Sequence, residues 1–351
     1  LFLAIETSVF PAYVLVAQFK RDYFSLEATV KFFVFGVLAT LLFAYGLAVI
    51  YGAVGATSFS SINSFISSSS VNNYVNFIIL GLILLLASLA IKSTLVPLHV
   101  WAIDTYQGSP TSISVFLSTT SKLTGLFSVA LILVTAFRNL FDIEPFIRYL
   151  LAILALVTMI LPNVAALVQK NIKRLLAYSS VAHAGYMSLV FVFPLETFPI
   201  LGFYAVTYSI AKSVSFLVTK RISGEGSDSP YNNLMSLFKL DPLAATTFTV
   251  ALLSLAGIPP FAGFMAKFLL FLNTAFTGNL GLALALVALI MSGISVYYYA
   301  YLIRLEVIES NNENISIFKN SEMDAFMIIS IIALVILTFF PSYLYYQFPI
   351  F

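Results

Sequence analysis

Apolar runs long enough to cross a bilayer recur ten times along this chain, and nothing else constrains its folding as much. A helical span needs about 20 apolar residues. The runs fall at roughly 1–19, 27–52, 75–101, 110–137, 146–168, 173–194, 197–219, 243–274, 279–304 and 324–346. In lipid each backbone polar group must be satisfied within the protein, so runs of this length read as helices. The expected fold class is an all-α polytopic membrane protein, a single transmembrane domain over residues 1–351 in contact with the lipid bilayer. Of its residues 60% are hydrophobic and only 9% charged, and mean hydropathy is +1.00, which excludes an ordinary soluble domain. The Ser- and Asn-rich stretch from Thr57 to Asn76 carries no charge and reads as a flexible surface excursion.

Two of the ten runs are interrupted. The third has Lys92 and, five residues on, Pro97; the eighth has Gly257, Pro259 and Pro260. A proline inside a helix frees a carbonyl that lipid cannot satisfy, so both breaks are expected to lie against protein or internal water. Discontinuous helices at similar places in two halves of a chain point to an inverted-repeat transporter fold with ion sites at the breaks. The halves are expected at about 1–137 and 146–304, with an extra C-terminal helix at about 324–346.

Positive charge alternates between the connections. Lys20 and Arg21, then Lys170, Lys173 and Arg174, then Lys220, Arg221 and Lys239, then Arg304 and Lys319 follow the odd-numbered spans. Only Arg138 and Arg148 lie on the other side, beside Asp142 and Glu144. The positive-inside rule puts the first set in the cytoplasm and both chain ends outside. Leu1 already lies in an apolar run, with no initiator methionine or charged leader. An N-terminal part is therefore expected upstream, with an even number of helices if the original start was also outside.

Of seventeen Lys and Arg residues, thirteen lie at connections or helix ends; Lys92, Lys122, Lys212 and Lys267 fall inside spans. Among the acidic residues only Glu6 does so clearly. Ionisable groups at such depth are costly and mark functional sites unless they reach the interface. Glu6 and Lys92 form the natural ion pair. Burial weakens a lysine's hold on its proton and a nearby carboxylate strengthens it, so relative movement of the two is the physical basis of a proton switch. Lys122 and Lys267 could continue a relay through water. Lys212 either joins it or snorkels, being eight residues before Lys220, and Lys31 either snorkels or pairs with Glu27 at i,i+4. Glu6 could also be an interfacial carboxylate. His99 is placed either to join a water chain or to bond a carbonyl freed by the first break. His183 sits among small polar residues that favour close helix packing and reads as structural, and Asp104 as interfacial.

Several function classes are excluded or disfavoured. The chain has no cysteine and two histidines, so it cannot hold a thiolate-ligated iron–sulfur centre and gives little support for haem. No phosphate-binding loop is present, neither histidine has a nucleophile partner, and a net charge of +2 gives no reason to expect a nucleic-acid partner.

The runs KSTLVPLHVW (92–101), DTYQGSP (104–110), STTSK (118–122), QKNIKRLLAYSSVAHAGY (169–186) and LAGIPPFAGFMAK (255–267) resemble the antiporter-like membrane subunits of respiratory complex I. Ile5-Glu6, the run Tyr13 to Ala17 and the run Leu26 to Phe32 resemble subunit N of NADH-quinone oxidoreductase in particular. The resemblance implies a fourteen-helix inverted-repeat fold of which these ten are the fifth to the fourteenth. It implies proton translocation with Glu6 and Lys92 as the coupling pair, Lys122 as the central relay and Lys267 as the lysine of the second break. It further implies other membrane subunits as partners, a prokaryotic cell membrane, and no cofactor in this chain: NADH or another donor, flavin, iron–sulfur clusters and quinone are expected in other subunits. Lys212 departs from subunit N, where a neutral residue is common, and matches the sister subunits. Multisubunit cation/proton antiporters and membrane-bound hydrogenases share the core motifs and are the alternative hosts.

Overall fold

In a computed structural model of the chain, the described residues are 1–19, 22–68, 71, 73–226, 229–308, 317–318 and 320–339, without the side chain of Asp142. Lys20, Arg21, Lys319 and the C-terminal run beyond residue 339 lie outside them. The principal helices are α1 (Phe2–Val16), α2 (Tyr23–Val54), α3 (Val75–Lys92), α4 (Val100–Gly108), α5 (Thr111–Thr135), α6 (Phe146–Ala166), α7 (Ile172–Val192), α8 (Pro194–Ser223), α9 (Pro242–Ala256), α10 (Ala262–Ala275), α11 (Asn279–Val307) and α12 (Ser321–Phe339). Eight of them are long and apolar enough to cross a membrane. With α1, and with α9 and α10 as halves of one broken helix, they correspond to the ten runs read from the sequence.

Local chemistry sets the helix limits. Asp22, Asn171 and Asp241 accept hydrogen bonds from the backbone N–H of Phe24, Arg174 and Ala244, satisfying otherwise orphaned donors at the starts of α2, α7 and α9. Gly257 ends α9 with φ +81°, a left-handed conformation that glycine adopts without a Cβ penalty.

The first break begins earlier than the sequence suggests. Helix α3 stops at Lys92 itself, Thr94 has φ 59°, and α4 resumes at Val100. The proline therefore lies inside the unwound segment rather than at its start, and the third span reaches Gly108, not residue 101. Groups freed by the break are satisfied internally. Val96 N–H donates to Thr158 Oγ1 at 3.0 Å and Trp101 Nε1 donates to the Ile91 carbonyl at 3.1 Å.

The Thr57–Asn76 stretch is not wholly an exposed excursion. It contains a helix at Phe59–Ile66, capped by Ser58, whose Ile62 and Ile66 are buried. Two apolar residues four apart are enough to dock one turn of it.

Charged contacts gather at one end of the bundle. Asp104 binds both Lys31 and Arg174, the latter at 2.8 Å, and Lys31 also pairs with Glu27 at 2.5 Å. Glu225 pairs with Lys220 at 2.5 Å. Lys173, which read as a connection charge, is buried and donates to the carbonyls of Ser109, Glu225 and Gly226. Arg221 binds Asp241 at 2.6 Å and also Asp324, joining α8, α9 and α12. All of these residues come from the connections assigned to the cytoplasm or from helix ends beside them.

Candidate functional site

Helix α7 forms the middle of the polar interior. It is almost entirely buried, although it carries Ser179, Ser180, His183 and Tyr186. Their spacing of three and four residues puts them on neighbouring faces of the helix. At Gly185 the backbone of α6 comes so close that a Cβ placed there would lie 2.6 Å from the Thr158 carbonyl carbon. The small-residue pattern thus lets α7 lie directly against α6.

Glu6 and Lys92 meet as the sequence predicts. Lys92 Nζ lies 2.6 Å from Glu6 Oε1, both residues are 8% exposed, and Glu6 Oε2 accepts from Thr40 Oγ1 at 2.9 Å. Glu6 is therefore interior rather than interfacial. Lys92 is the last residue of α3, where the negative end of the helix dipole favours a cation.

Lys122, wholly buried, follows a π-helical turn at Leu117–Ser121; such turns recur at functional sites. It donates to Ser180 Oγ. Tyr208 OH donates to the Ser118 carbonyl at 2.9 Å and lies 2.7 Å from Ser180 Oγ. Because a hydroxyl has one proton to donate, the bonds run from Lys122 through Ser180 and Tyr208 to a carbonyl within the π turn.

Lys212 does not snorkel. It is wholly buried and donates to Ser179 Oγ, one residue from the partner of Lys122. Lys267 donates to the Ala256 carbonyl at 3.0 Å and to Ser292 Oγ at 2.9 Å. It thus caps the C-terminal end of α9, as Lys92 ends α3, and its amine stands 5.1 Å from the centre of the Tyr186 ring. A cleft of about 310 Å³ between α10 and α11, lined by Phe264, Phe268, Leu286 and Leu289, reaches Lys267 and Ser292.

His99 is half-buried at the start of α4, and among the described residues its Nδ1 has no hydrogen-bond partner, nor do Ser93 Oγ and Thr94 Oγ1 in the same unwound segment. His183, by contrast, occupies the centre. Its Nδ1 is 2.9 Å from Tyr204 OH and its Nε2 is 3.4 Å from Tyr299 OH. The chain alone did not single out Tyr204, Tyr208, Tyr299 and the pair Ser179 and Ser180 as partners of the lysines. The only signal was uncharged polar residues at helical spacing around His183. Glu306 was also missed: α11 runs on to Val307, and this carboxyl is fully buried within it, so Glu6 is not alone.

Four buried amines therefore face polar partners inside the bundle: Lys92 beside Glu6 at the first break, Lys267 at the second, and Lys122 and Lys212 on adjacent hydroxyls of α7. Hydroxyls, imidazole and amines are groups that can pass protons directly or through water. Among the described residues no group of three or more His, Cys, Asp or Glu side chains is placed to hold a metal ion.

Comparison with known proteins identifies the family. The family described as "NADH:quinone oxidoreductase/Mrp antiporter, TM" matches residues 1–295. NADH-quinone oxidoreductase subunit N of Cytophaga hutchinsonii is 35% identical over 300 residues, covering 85% of this chain and 63% of its own. Subunit 14 of the Thermus thermophilus enzyme is 39% identical over 297 residues, covering 85% and 62%. The chain thus spans somewhat under two thirds of these relatives. Among solved structures, a chain of respiratory complex I from Thermus thermophilus superposes with a TM-score of 0.83 at 34% identity, covering 98% of this chain and 73% of that one. A chain of an archaeal membrane-bound sulfane sulfur reductase superposes with a TM-score of 0.84 at 25% identity, covering 99% and 69%. The Mrp complex from a Dietzia species shares the fold, with a TM-score of 0.83 at 19% identity over 98% and 71%. With buried lysines at both helix breaks and a family match over most of its length, the chain belongs to the NADH:quinone oxidoreductase/Mrp antiporter family of integral membrane proteins.

Proposed function

We propose that this chain translocates protons as a membrane subunit of a complex I-type NADH-quinone oxidoreductase, in the place of subunit N. Electron transfer proceeds in other subunits, which hold the flavin, the iron–sulfur clusters and the quinone site. This chain has no cysteine to ligate a cluster, and its buried histidine has both ring nitrogens beside tyrosine hydroxyls. Its partners are the neighbouring membrane subunits and the lipid of a prokaryotic cell membrane.

The observation that carries this reading is the arrangement of Lys122 and Lys212 on adjacent serines of α7, between the lysines of the two breaks. The inverted repeats, at about 1–137 and 146–304, each supply one broken helix. Glu6 and Lys92 act as the coupling pair: when a neighbouring subunit displaces Glu6, Lys92 loses its counter-charge and its proton moves on. The unpartnered hydroxyls of Ser93 and Thr94 and the free Nδ1 of His99 are polar sites that internal water needs in order to bridge from Lys92 toward Lys122. Lys122 passes the proton to the α7 hydroxyls, Lys212 extends the central station, and Lys267 exchanges it at the second break.

Replacing Lys122 by alanine in the assembled complex tests this. Quinone reduction continuing with fewer protons moved per electron pair supports the role, and an unchanged ratio refutes it. The similarity to the sulfane sulfur reductase chain favours a second host, a related ion-translocating complex with another electron acceptor. Rescue of a transporter-deficient strain under sodium stress by this gene alone identifies a free-standing antiporter instead.

A further inference from the structure

Glu306 is a fully buried carboxyl in the last turns of α11 that the path from Glu6 to Lys267 does not use. Its Oε1 accepts a hydrogen bond from Thr249 Oγ1 of α9, and its Oε2 has no hydrogen-bond partner among the described residues. Among the described residues no cation lies within ion-pair distance. This sets it apart from the other buried acids, since Glu6 is paired with Lys92 and Asp241 with Arg221. A bond to Thr249 that merely tied α11 to α9 could be made by glutamine, with no charge to bury.

The surroundings offer little compensation for an anion. Helix α9 has one charged group, Asp241 at its start, and that is bound to Arg221. Helix α10 carries Lys267, which is bound to Ala256 and Ser292. Arg148 of α6 stacks on Phe141 and Phe193. Lys239, on the short helix Leu237–Leu240, and Arg304, on α11 itself, are exposed. Lys170, which shares a cavity with Leu305 and Tyr301, is exposed, and among the described residues the phenols of Tyr231, Tyr297, Tyr298, Tyr299 and Tyr301 are the other titratable groups on α11 and the short helix that begins at Tyr231. An ionised carboxylate left unpaired in a dry interior is strongly disfavoured, so this side chain is built to hold a proton and to release it only when a carrier is at hand.

Its position supplies a route. Thr249 is seven residues before Ala256, about 10 Å along α9 at 1.5 Å per residue, and the Ala256 carbonyl is an acceptor for Lys267. On its own helix Glu306 lies two turns beyond Tyr299, whose hydroxyl faces His183. Glu306 is therefore on the cytoplasmic side of both Lys267 and the central histidine.

We propose that Glu306, with Thr249 as its hydroxyl partner, is a proton-binding site through which the second half of the chain loads from the cytoplasm. A proton from cytoplasmic water binds the carboxylate to give the acid. The acid then passes that proton through water to the neutral amine of Lys267, which becomes the ammonium as the carboxylate re-forms. No electrons move.

The inference rests on the proton-translocation reading, and the test separates the two. In the purified assembly, infrared difference spectra between acid and alkaline media are expected to show a protonated-carboxyl band that shifts in deuterated water. That band is lost in Glu306→Gln and moves in frequency in Thr249→Val, where the acid remains but its partner does not. In vesicles, Glu306→Gln is expected to retain quinone reduction and lose proton release. Persistence of the full band in Glu306→Gln, or an unchanged proton-to-electron ratio in that variant while Lys122→Ala loses pumping, overturns the site alone. Normal pumping in Lys122→Ala overturns the underlying reading instead.

Discussion

Replacing Glu6 with glutamine removes the negative member of the buried pair while keeping a side chain of nearly the same shape. At an effective dielectric constant of about 20, unit charges 2.6 Å apart attract by about 6 kcal/mol. Breaking a buried pair by removing one partner costs about 3–5 kcal/mol in measured cases. If separation of Glu6 from Lys92 is the coupling event, that energy distinguishes the paired arrangement from the separated one. Its loss shifts their balance on the order of 10²- to 10³-fold, at about 1.4 kcal/mol per factor of ten. Glu6→Asp gives a graded version. Withdrawing the carboxylate by one carbon–carbon bond, about 1.5 Å, lowers the attraction to about 4 kcal/mol at the same dielectric constant. That difference of about 2 kcal/mol corresponds to roughly a 30-fold shift. The assay is simultaneous quinone reduction and proton uptake in inverted membrane vesicles carrying each variant. Proton movement per electron pair is expected to fall in the order wild type, Glu6→Asp, Glu6→Gln. Equal ratios in all three refute the coupling role, because a mere structural contact would alter assembly rather than stoichiometry.

Three further perturbations probe other parts of the molecule. Lys212→Met removes an amine that donates to the Ser179 hydroxyl, and that hydroxyl keeps its own bond to the Leu176 carbonyl, so the cost is that of one lost hydrogen bond, about 1 kcal/mol; the assembly is expected to survive with reduced pumping, read by the same vesicle assay. Arg221→Ala leaves Asp241 buried without its partner and is expected to destabilise the chain by about 3–5 kcal/mol, seen as a lower melting temperature and lower membrane yield; Arg221→Lys does not restore it, because one ammonium cannot reproduce the fork that reaches both Asp241 and Asp324. For Glu225, burial pushes the carboxyl up, but its bonds to Lys220 and Ser112 outweigh this and hold it below the usual glutamate range. A depressed folded-state value gives stability that is present above the unfolded value and lost as pH falls through the folded one. Acidification below the ordinary carboxylate range is therefore expected to lower the melting temperature more in wild type than in Glu225→Gln.

What could be read from the chain divides by the range of the interactions involved. Span count and breaks depend on runs of apolar residues and on Gly and Pro, which act locally, and these survive in the structure. The Glu6–Lys92 pair was legible because a lone acid and a nearby base inside lipid have few other ways to be satisfied. The point where α3 unwinds was not, because Thr158, from a distant helix, satisfies the Val96 N–H freed there. Glu306 escaped for a related reason. A carboxyl two residues after Arg304 looks like part of a charged connection, and only the packing of α9 over that turn of α11 buries it.

The same distinction bears on why α7 is polar but uncharged. Lys122 and Lys212 attach to adjacent residues of one helix. An acid at either serine would bind one amine as a fixed ion pair, stable but slow to release a proton. A serine hydroxyl can accept from an ammonium and, by rotating, donate to a neutral amine, so it favours neither state by a full charge. On the proposed function, Glu6 is charged where a binary signal has to be received, and the centre is built of hydroxyls where a proton has to pass. Placing a carboxylate at Ser180 is accordingly expected to retain the lysine contact and slow pumping, read by the same vesicle assay; an unchanged rate refutes the argument.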